Sequence, residues 1–320
     1  MEKPFFSDVT LRDGNQSLKR PWGIEEKEII FKQLLKLGVQ GIEVGFPCSS
    51  ELDFKACKNL AEIAPENVTI SAFTRAIKND IHKTVQAIQN APKPCLFTYV
   101  PISDAMLDLV LKKTFEEIKK NAIEAVSYAK SIMPKNGEIK FGIEHFGDCQ
   151  NNLDKIVSLT KDVAQAGANT ITLANTVERH RPATFVEMVK KVRLALPDNV
   201  AISVHCHNDL GMATATTVES YFAGSVQLEC TLNGIGERSG NANLYEVALA
   251  LHNSGVEVPL NLDKIYETAL LVSKLSGIPI YEKAPIIGKN VFTNDNNYDN
   301  IIPFTPEIIG KITEQAEMIR

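Results

Sequence analysis

No stretch of this sequence approaches the run of about twenty apolar residues that a membrane-spanning helix needs, and no charged start, apolar segment and cleavage site opens the chain. A cytoplasmic protein with no membrane partner is the expectation. Cysteine is sparse: Cys48, Cys57, Cys95, Cys149, Cys206 and Cys230 stand far apart without a C-x-x-C pair, which excludes a disulfide framework and fits reduced thiols in apolar positions. Basic charge is lacking as well, with 34 Lys and Arg against 39 Asp and Glu, so there is no electropositive footprint for nucleic acid. The partner expected is a small molecule. Polar low-complexity tracts are missing, and 44% hydrophobic with 23% charged residues is the composition of a folded globular chain.

What is present is an alternation. Short apolar or β-branched runs recur at Phe5–Thr10, Gln40–Gly45, Val68–Phe73, Cys95–Val100, Ile139–Ile143, Thr170–Leu173, Val200–Val204 and Val226–Cys230. Between them lie segments of helical period, among them Glu25–Leu37, Leu52–Ile63, Phe115–Ile132 and Ala183–Leu194. Read as continuous apolar strands buried on both faces, these runs predict a parallel sheet, and eight strand-helix units are what a closed TIM (β/α)8 barrel requires. The catalytic barrel is expected over 1–253. Over 254–320 the alternation stops, leaving a short, mainly helical C-terminal subdomain with one helix at Leu262–Leu275 and another after Pro306. An open doubly wound sheet is the alternative arrangement.

The placement of polar residues favours the barrel, because active sites of such barrels form at the C-terminal strand ends. Strand ends here carry Arg12, Asp13 and Gln16, then Glu43, then Arg75, then Glu144 with His145, then Asn175 and Thr176. The seventh run ends in His205-Cys206-His207, and the eighth leads into Asn233-Gly234-Ile235-Gly236-Glu237-Arg238-Ser239-Gly240-Asn241. Two residues apart on a strand, His205 and His207 send both imidazoles to one face. Asp13 and Asn241, at neighbouring strand mouths, add oxygen ligands to a mixed N/O set that suits Mg, Mn, Zn or Fe(II). The glycine loop, with Gly234 and Gly236, allows close backbone approach to the mouth, and Glu237 with Arg238 reads as a buried supporting ion pair.

The stretches T-L-R-D-G-N-Q-S at Thr10–Ser17, H-C-H-N-D-L-G at His205–Gly211 and N-G-I-G-E-R-S-G-N at Asn233–Asn241 together resemble the DRE-TIM metallolyase superfamily. Within it the chain looks most like the 2-isopropylmalate, homocitrate and citramalate synthase group, and the likeness covers nearly the whole chain. The resemblance implies Asp13, His205, His207 and Asn241 as metal ligands, Arg12 as the group stabilising an enolate oxygen and Glu144 as an active-site glutamate. It implies Thr176 at the substrate carboxylate, Arg75, Glu43, Gln16 and Asn175 around the substrate, and Gly234, Gly236 and Glu237 as a cofactor-binding loop. The activity implied joins the methyl carbon of acetyl-CoA, or a related acyl-CoA, to the keto carbon of a 2-oxo acid and then hydrolyses the thioester. A homodimer and a role in leucine biosynthesis are implied on the same ground.

The chain departs from that pattern in places. Synthases of the group carry a F-T-H-E-S-G-I-H-like stretch whose final histidine reaches into the neighbouring subunit; here the match reads Phe292-Thr293-Asn294-Asp295-Asn296-Asn297-Tyr298-Asp299. Asp299 or Tyr298 is then the candidate for proton transfer. Asn175 stands where Asp is commoner, Phe97 where a strand-four histidine is expected, and the leucine-binding regulatory domain has no counterpart in these 320 residues. Other activities compatible with the fold are a retro-aldol lyase of the hydroxymethylglutaryl-CoA type, a metal- and metabolite-binding paralogue without catalysis, and a carboxylase subunit. The lyase branch has a G-G-C-P-Y-A-like loop with a catalytic cysteine, which is missing here, and no biotin-linked segment or carboxyl-carrying lysine motif supports a carboxylase.

Overall fold

The structure, a computed structural model, describes residues 2–292 and 303–311. Strands β1 (Phe5–Asp8), β2 (Gly41–Glu43), β3 (Thr69–Arg75), β4 (Pro94–Pro101), β5 (Glu138–Glu144), β6 (Thr170–Asn175), β7 (Ala201–Cys206) and β8 (Gln227–Cys230) follow one another around a closed barrel. Every pairing is parallel, and closure comes from β1 against β8, with Phe5 opposite Gln227 and Asp8 opposite Cys230. The helices α1 (Ile24–Leu37), α2 (Glu51–Glu62), α3 (Lys78–Ile88), α4 (Phe115–Ile132), α5 (Leu153–Ala166), α6 (Pro182–Ala195), α7 (Ala213–Phe222) and α8 (Leu244–Asn253) alternate with them. The fold is the TIM (β/α)8 barrel.

Local chemistry sets the helix limits. At the start of α4 the Thr114 side chain accepts from the Glu117 amide while Glu117 reaches back to the Thr114 N–H, satisfying two otherwise free donors. Helix α1 stops at Gly38, which adopts a left-handed conformation (φ 86°) that a side chain would resist.

The strands are not the continuously apolar runs read from the sequence. In Thr170-Ile171-Thr172-Leu173 and Gln227-Leu228-Glu229-Cys230 every second residue is polar, and that polar set lines the barrel's inside. The apolar set faces the helices: Phe6, Ile42, Ile70, Leu96, Phe141, Ile171, Val204 and Leu228 are fully buried in one core with Ile30, Phe31, Ile88 and Val189. Each buried side chain of this size contributes about 1.5–3 kcal/mol, so the ring between strands and helices carries the hydrophobic stabilisation. The barrel interior is left free for charge.

After α8 a short 3-10 turn (Leu262–Lys264) leads into α9 (Ile265–Ser276), in place of one continuous helix. Ile265, Ala269 and Val272 on α9 join the barrel's core, and Gln33 on α1 donates to Thr268. Residues 306–310 form turns, and the rest of the helix expected after Pro306 lies outside the described residues. Among the described residues no helix is long and apolar enough to cross a membrane.

Candidate metal centre and substrate pocket

At the end of β1 the chain enters a tight π-helical turn, Thr10–Gly14, in which the Asp13 amide donates to the Val9 carbonyl. Buried Asp8 fastens the turn by accepting from the Thr10 amide and hydroxyl, and the same hydroxyl accepts from the Leu232 amide beyond β8. This irregular turn directs adjacent Arg12 and Asp13 to one place. The Arg12 guanidinium donates to Glu43 and, at 3.2 Å, to Asp13, and lies 4.5 Å above the Phe73 ring. Glu43 is fully buried beneath it.

His205 and His207 present their Nε2 atoms 3.3 Å apart, with Asp13 Oδ2 at 3.1 Å from the first and 3.7 Å from the second. One ligand atom from each of Asp13, His205 and His207 falls within 4.8 Å of the others, and all three residues are buried. Asn241 is brought alongside by an isolated antiparallel bridge to His207. Its Oδ1 and Nδ2 are both buried with no hydrogen-bond partner among the described residues. Buried polar groups are nearly always satisfied, so an orphaned amide beside a carboxylate and two imidazoles marks a place where a ligand is due.

Electrostatics agree. Burial opposes a charge on Asp13, but Arg12 and His205 outweigh it and hold the carboxyl well below its usual range. Burial likewise works against a charged His205, yet Asp13 and Glu229 hold its pKa up at about 9, whereas burial and the neighbouring His205 drop His207 to about 3. Around this point the buried carboxylates Asp13, Glu43 and Glu229 face Arg12, Lys140 and a protonated His205, so a cation that displaces the His205 proton finds negative charge to balance it. The donor set and the charge fit a divalent cation with mixed N/O ligands and open positions.

Beside the three ligands opens a cavity of about 260 Å³ whose lining includes Arg12, Gln16, Glu144, Thr176 and Glu237. Its wall is aromatic: Phe73 stacks on Tyr99 at 4.5 Å and meets Phe97 and Phe46 edge-on at 5.1 and 5.6 Å. Glu144, at the end of β5, is half-buried, and that burial raises its pKa. Thr176 accepts from the His145 amide, which fixes its hydroxyl at the mouth.

Several residues singled out in the sequence sit elsewhere. Arg75, the last residue of β3, is 54% exposed and bonded to Asp80, so it lines no part of the cavity. Asn175 is buried against Gly147 rather than in the pocket, and Glu43 stays out of the cavity lining, pairing with Arg12 and lying 3.9 Å from Lys140. Gly234 and Gly236 also stay out of the cavity lining. Gly234 accepts from the Asn241 amide, and a Cβ on Gly236 would lie 2.5 Å from Asn241 Nδ2, so these glycines make room for the asparagine. Glu237 and Arg238 are not a buried pair, being 56% and 40% exposed; Arg238 instead clasps Asp209 and the Thr176 carbonyl. Tyr298 and Asp299 lie outside the described residues. Phe46, Phe73, Tyr99, Lys140 and Glu229 were not singled out from sequence; only the period-two polar pattern of β5 and β8 signals the last two.

The HMGL-like family model matches residues 3–272. Among curated proteins, 2-isopropylmalate synthase 2 of Leptospira interrogans serogroup Icterohaemorrhagiae serovar Lai is 57% identical over 291 residues, covering 91% of this chain and 68% of that protein. The 2-isopropylmalate synthase 1 of Caldanaerobacter subterraneus is 40% identical, covering 90% and 73%, and that of Dictyoglomus turgidum 38%, covering 98% and 63%. The chain thus spans about two thirds of the length of these relatives. Among solved structures, the HMG-CoA lyase of Bacillus subtilis superposes with a TM-score of 0.74 at 18% identity, covering 88% of this chain and 96% of that one, a likeness of fold. With the barrel, the ligand cluster and these matches together, the chain belongs to the HMGL-like family, in its 2-isopropylmalate synthase group.

Proposed function

We propose that this chain condenses acetyl-CoA, or a related acyl-CoA, with an apolar 2-oxo acid, releasing CoA and a 2-alkylmalate. The observation that carries the reading is the convergence of Asp13, His205 and His207, with the orphaned Asn241 amide beside them, at the edge of an aromatic-walled cavity that also holds Arg12 and Glu144. Asp13, His205, His207 and Asn241 would hold a divalent cation, Mg, Mn or Zn. When bound, it supplies Lewis acidity toward the carboxylate and keto oxygens of the 2-oxo acid.

The chain's own groups divide the remaining work. The Thr176 hydroxyl donates to the substrate carboxylate, and the aromatic wall receives the apolar side chain. Glu144, its carboxyl weakened as an acid by burial, accepts a proton from the thioester methyl, since a base whose pKa moves toward the working pH transfers protons best. Arg12, held over Phe73 by Glu43 and Asp13, donates to the developing enolate oxygen. The methyl carbon then bonds to the keto carbon, and water cleaves the thioester to release CoA. Asp299, or Tyr298 beside it, is proposed from sequence for the proton transfer that a histidine performs in related synthases. We also propose a cytoplasmic homodimer acting in leucine biosynthesis, with residues 254–320 as the linker that covers the partner's barrel mouth.

The test mixes the protein with Mg or Mn, acetyl-CoA and a panel of 2-oxo acids and follows thiol release. Release that depends on one class of 2-oxo acid and stops with chelator is the expected result. Cleavage of a hydroxyacyl-CoA without any 2-oxo acid would point to the lyase instead, and metal binding with neither reaction would end the catalytic proposal.

A further inference from the structure

Deep in the barrel, Glu229 on β8 gathers four polar groups from three other strands. Its Oε1 accepts from Lys140 Nζ on β5 at 3.0 Å, from the Thr172 hydroxyl on β6 at 3.0 Å and from the Ser203 hydroxyl on β7 at 2.9 Å. Its Oε2 faces one group, Nδ1 of His205, at 3.1 Å. The strand register offsets these residues by no more than two positions between neighbouring strands: Lys140 pairs with Thr170, Thr172 with Ser203, and His205 with Glu229. Lys140 and Glu229 are almost wholly buried, so no solvent competes for either oxygen.

The division of labour between the two oxygens has a consequence for His205. An imidazole has two nitrogens, and one that binds a cation through Nε2 must carry its proton on Nδ1. Glu229 Oε2 is the acceptor for that proton, in the carboxylate-histidine arrangement that fixes the ring of a metal ligand. Lys140 in turn pins the carboxylate, because an ammonium group can only donate and therefore demands an oxygen at the Oε1 position, which leaves the other oxygen for Nδ1. The hydroxyls of Thr172 and Ser203 make no such demand, since each can donate or accept.

We infer that Glu229, clamped by Lys140, is the positioning residue that sets the His205 tautomer and thereby the affinity of the Asp13–His205–His207 centre for a divalent cation. This rests on the metal-site reading above.

The experiment measures Mn2+ affinity from free-ion electron paramagnetic resonance and the His205 proton position from 15N spectra of the Zn-loaded protein. In Glu229→Gln, Lys140 keeps the amide oxygen, the NH2 turns toward Nδ1 as donor against donor, and the proton is driven to Nε2. Mn2+ affinity falls by about 10–100-fold. In the double variant Glu229→Gln with Lys140→Met the amide is free to turn over, offering its oxygen to Nδ1–H and its NH2 to the two hydroxyls; affinity returns to within about threefold of the parent and the proton stays on Nδ1. Glu229→Met with Lys140→Met removes the acceptor and the cation together, and affinity is lost again.

Both double variants remove one buried charge of each sign and leave Glu43 paired with Arg12, so the comparison between them stands even where Glu229→Gln alone does not fold. Equal Mn2+ affinity in the two double variants, with the proton on Nδ1 in both, overturns the inference. A parent protein that binds no Mn2+ overturns the metal-site reading itself, which separates the two failures.

Discussion

Asn241 faces His207 across an isolated antiparallel bridge, and each carries buried polar atoms that meet no partner among the described residues: Oδ1 and Nδ2 of the amide, and Nδ1 of the imidazole. An unsatisfied buried polar group costs about 1–3 kcal/mol, so the site is held in a shape that suits a ligand better than it suits the protein alone. Asn241→Leu, nearly the same size, should raise the melting temperature of the metal-free protein while abolishing the further rise that Mn2+ gives the parent. Thermal denaturation with and without Mn2+ reads both effects. A variant that gains as much from Mn2+ as the parent would remove Asn241 from the ligand set.

Arg12 holds three contacts at once, to Glu43, to Asp13 and over Phe73, which only a planar guanidinium can satisfy together. Arg12→Lys keeps the charge and loses the fork. Turnover should fall by about 10²–10³-fold, the usual loss when one donor to a developing oxyanion goes, with the KM for the 2-oxo acid changed far less. Steady-state kinetics in saturating Mg2+ check the split, and a rise in KM alone would make Arg12 a binding residue only.

Much of this was readable without coordinates, for a local reason. The His205-Cys206-His207 spacing fixes a shared face by strand geometry alone, and eight apolar runs separated by helical period lead to the barrel order seen in the structure. What could not be read is what closure brings together. Lys140 and Glu229 are 89 residues apart in sequence, and each looks like an ordinary charged residue until β5 to β8 share one interior. Arg75 is the reverse case: it follows its strand as a site residue would, yet Asp80 in the first turn of α3 holds its guanidinium.

That capture makes Arg75 a control. Arg75→Ala should leave kcat/KM within about twofold of the parent, the range of an exposed substitution away from any special feature. A larger loss, measured under the conditions used for Arg12→Lys, would mean that Arg75 swings into the site during turnover.

Asp8 predicts a pH dependence of stability. Burial, aided by Glu43 and opposed by the Thr10 hydrogen bonds, pushes its carboxyl up to about 7, against about 4 in an unfolded chain. Between those values the folded protein holds a proton that the unfolded chain releases, so the contribution of Asp8 to stability is complete below about pH 4 and lost as the pH rises through about 7. Asp8→Asn cannot ionise and keeps an acceptor for the Thr10 amide. The melting temperature of the parent minus that of Asp8→Asn should therefore fall steadily from pH 4 to 7 and then level off; a flat difference would show that Asp8 is ionised in the folded protein throughout.

The pocket wall depends on a pairing of large with small. Phe97 packs over Gly142, where an added Cβ would lie 2.8 Å from the ring's Cε2 and 3.1 Å from Tyr99 Cβ, too close for any side chain while both stay in place. Gly142→Ala should push the Phe97 ring into the cavity, at a cost in stability of about 1–3 kcal/mol, and raise the KM for the 2-oxo acid while leaving Mn2+ affinity unchanged. Phe97→Leu acts in the other direction by enlarging the space for the substrate's side chain. Because one methylene in an apolar pocket is worth about tenfold or more in discrimination, the ratio of kcat/KM for a bulkier over a smaller apolar 2-oxo acid should rise by about that factor. A ratio unchanged in both variants would mean that the substrate side chain points away from β4 and β5, and that the aromatic wall serves packing alone.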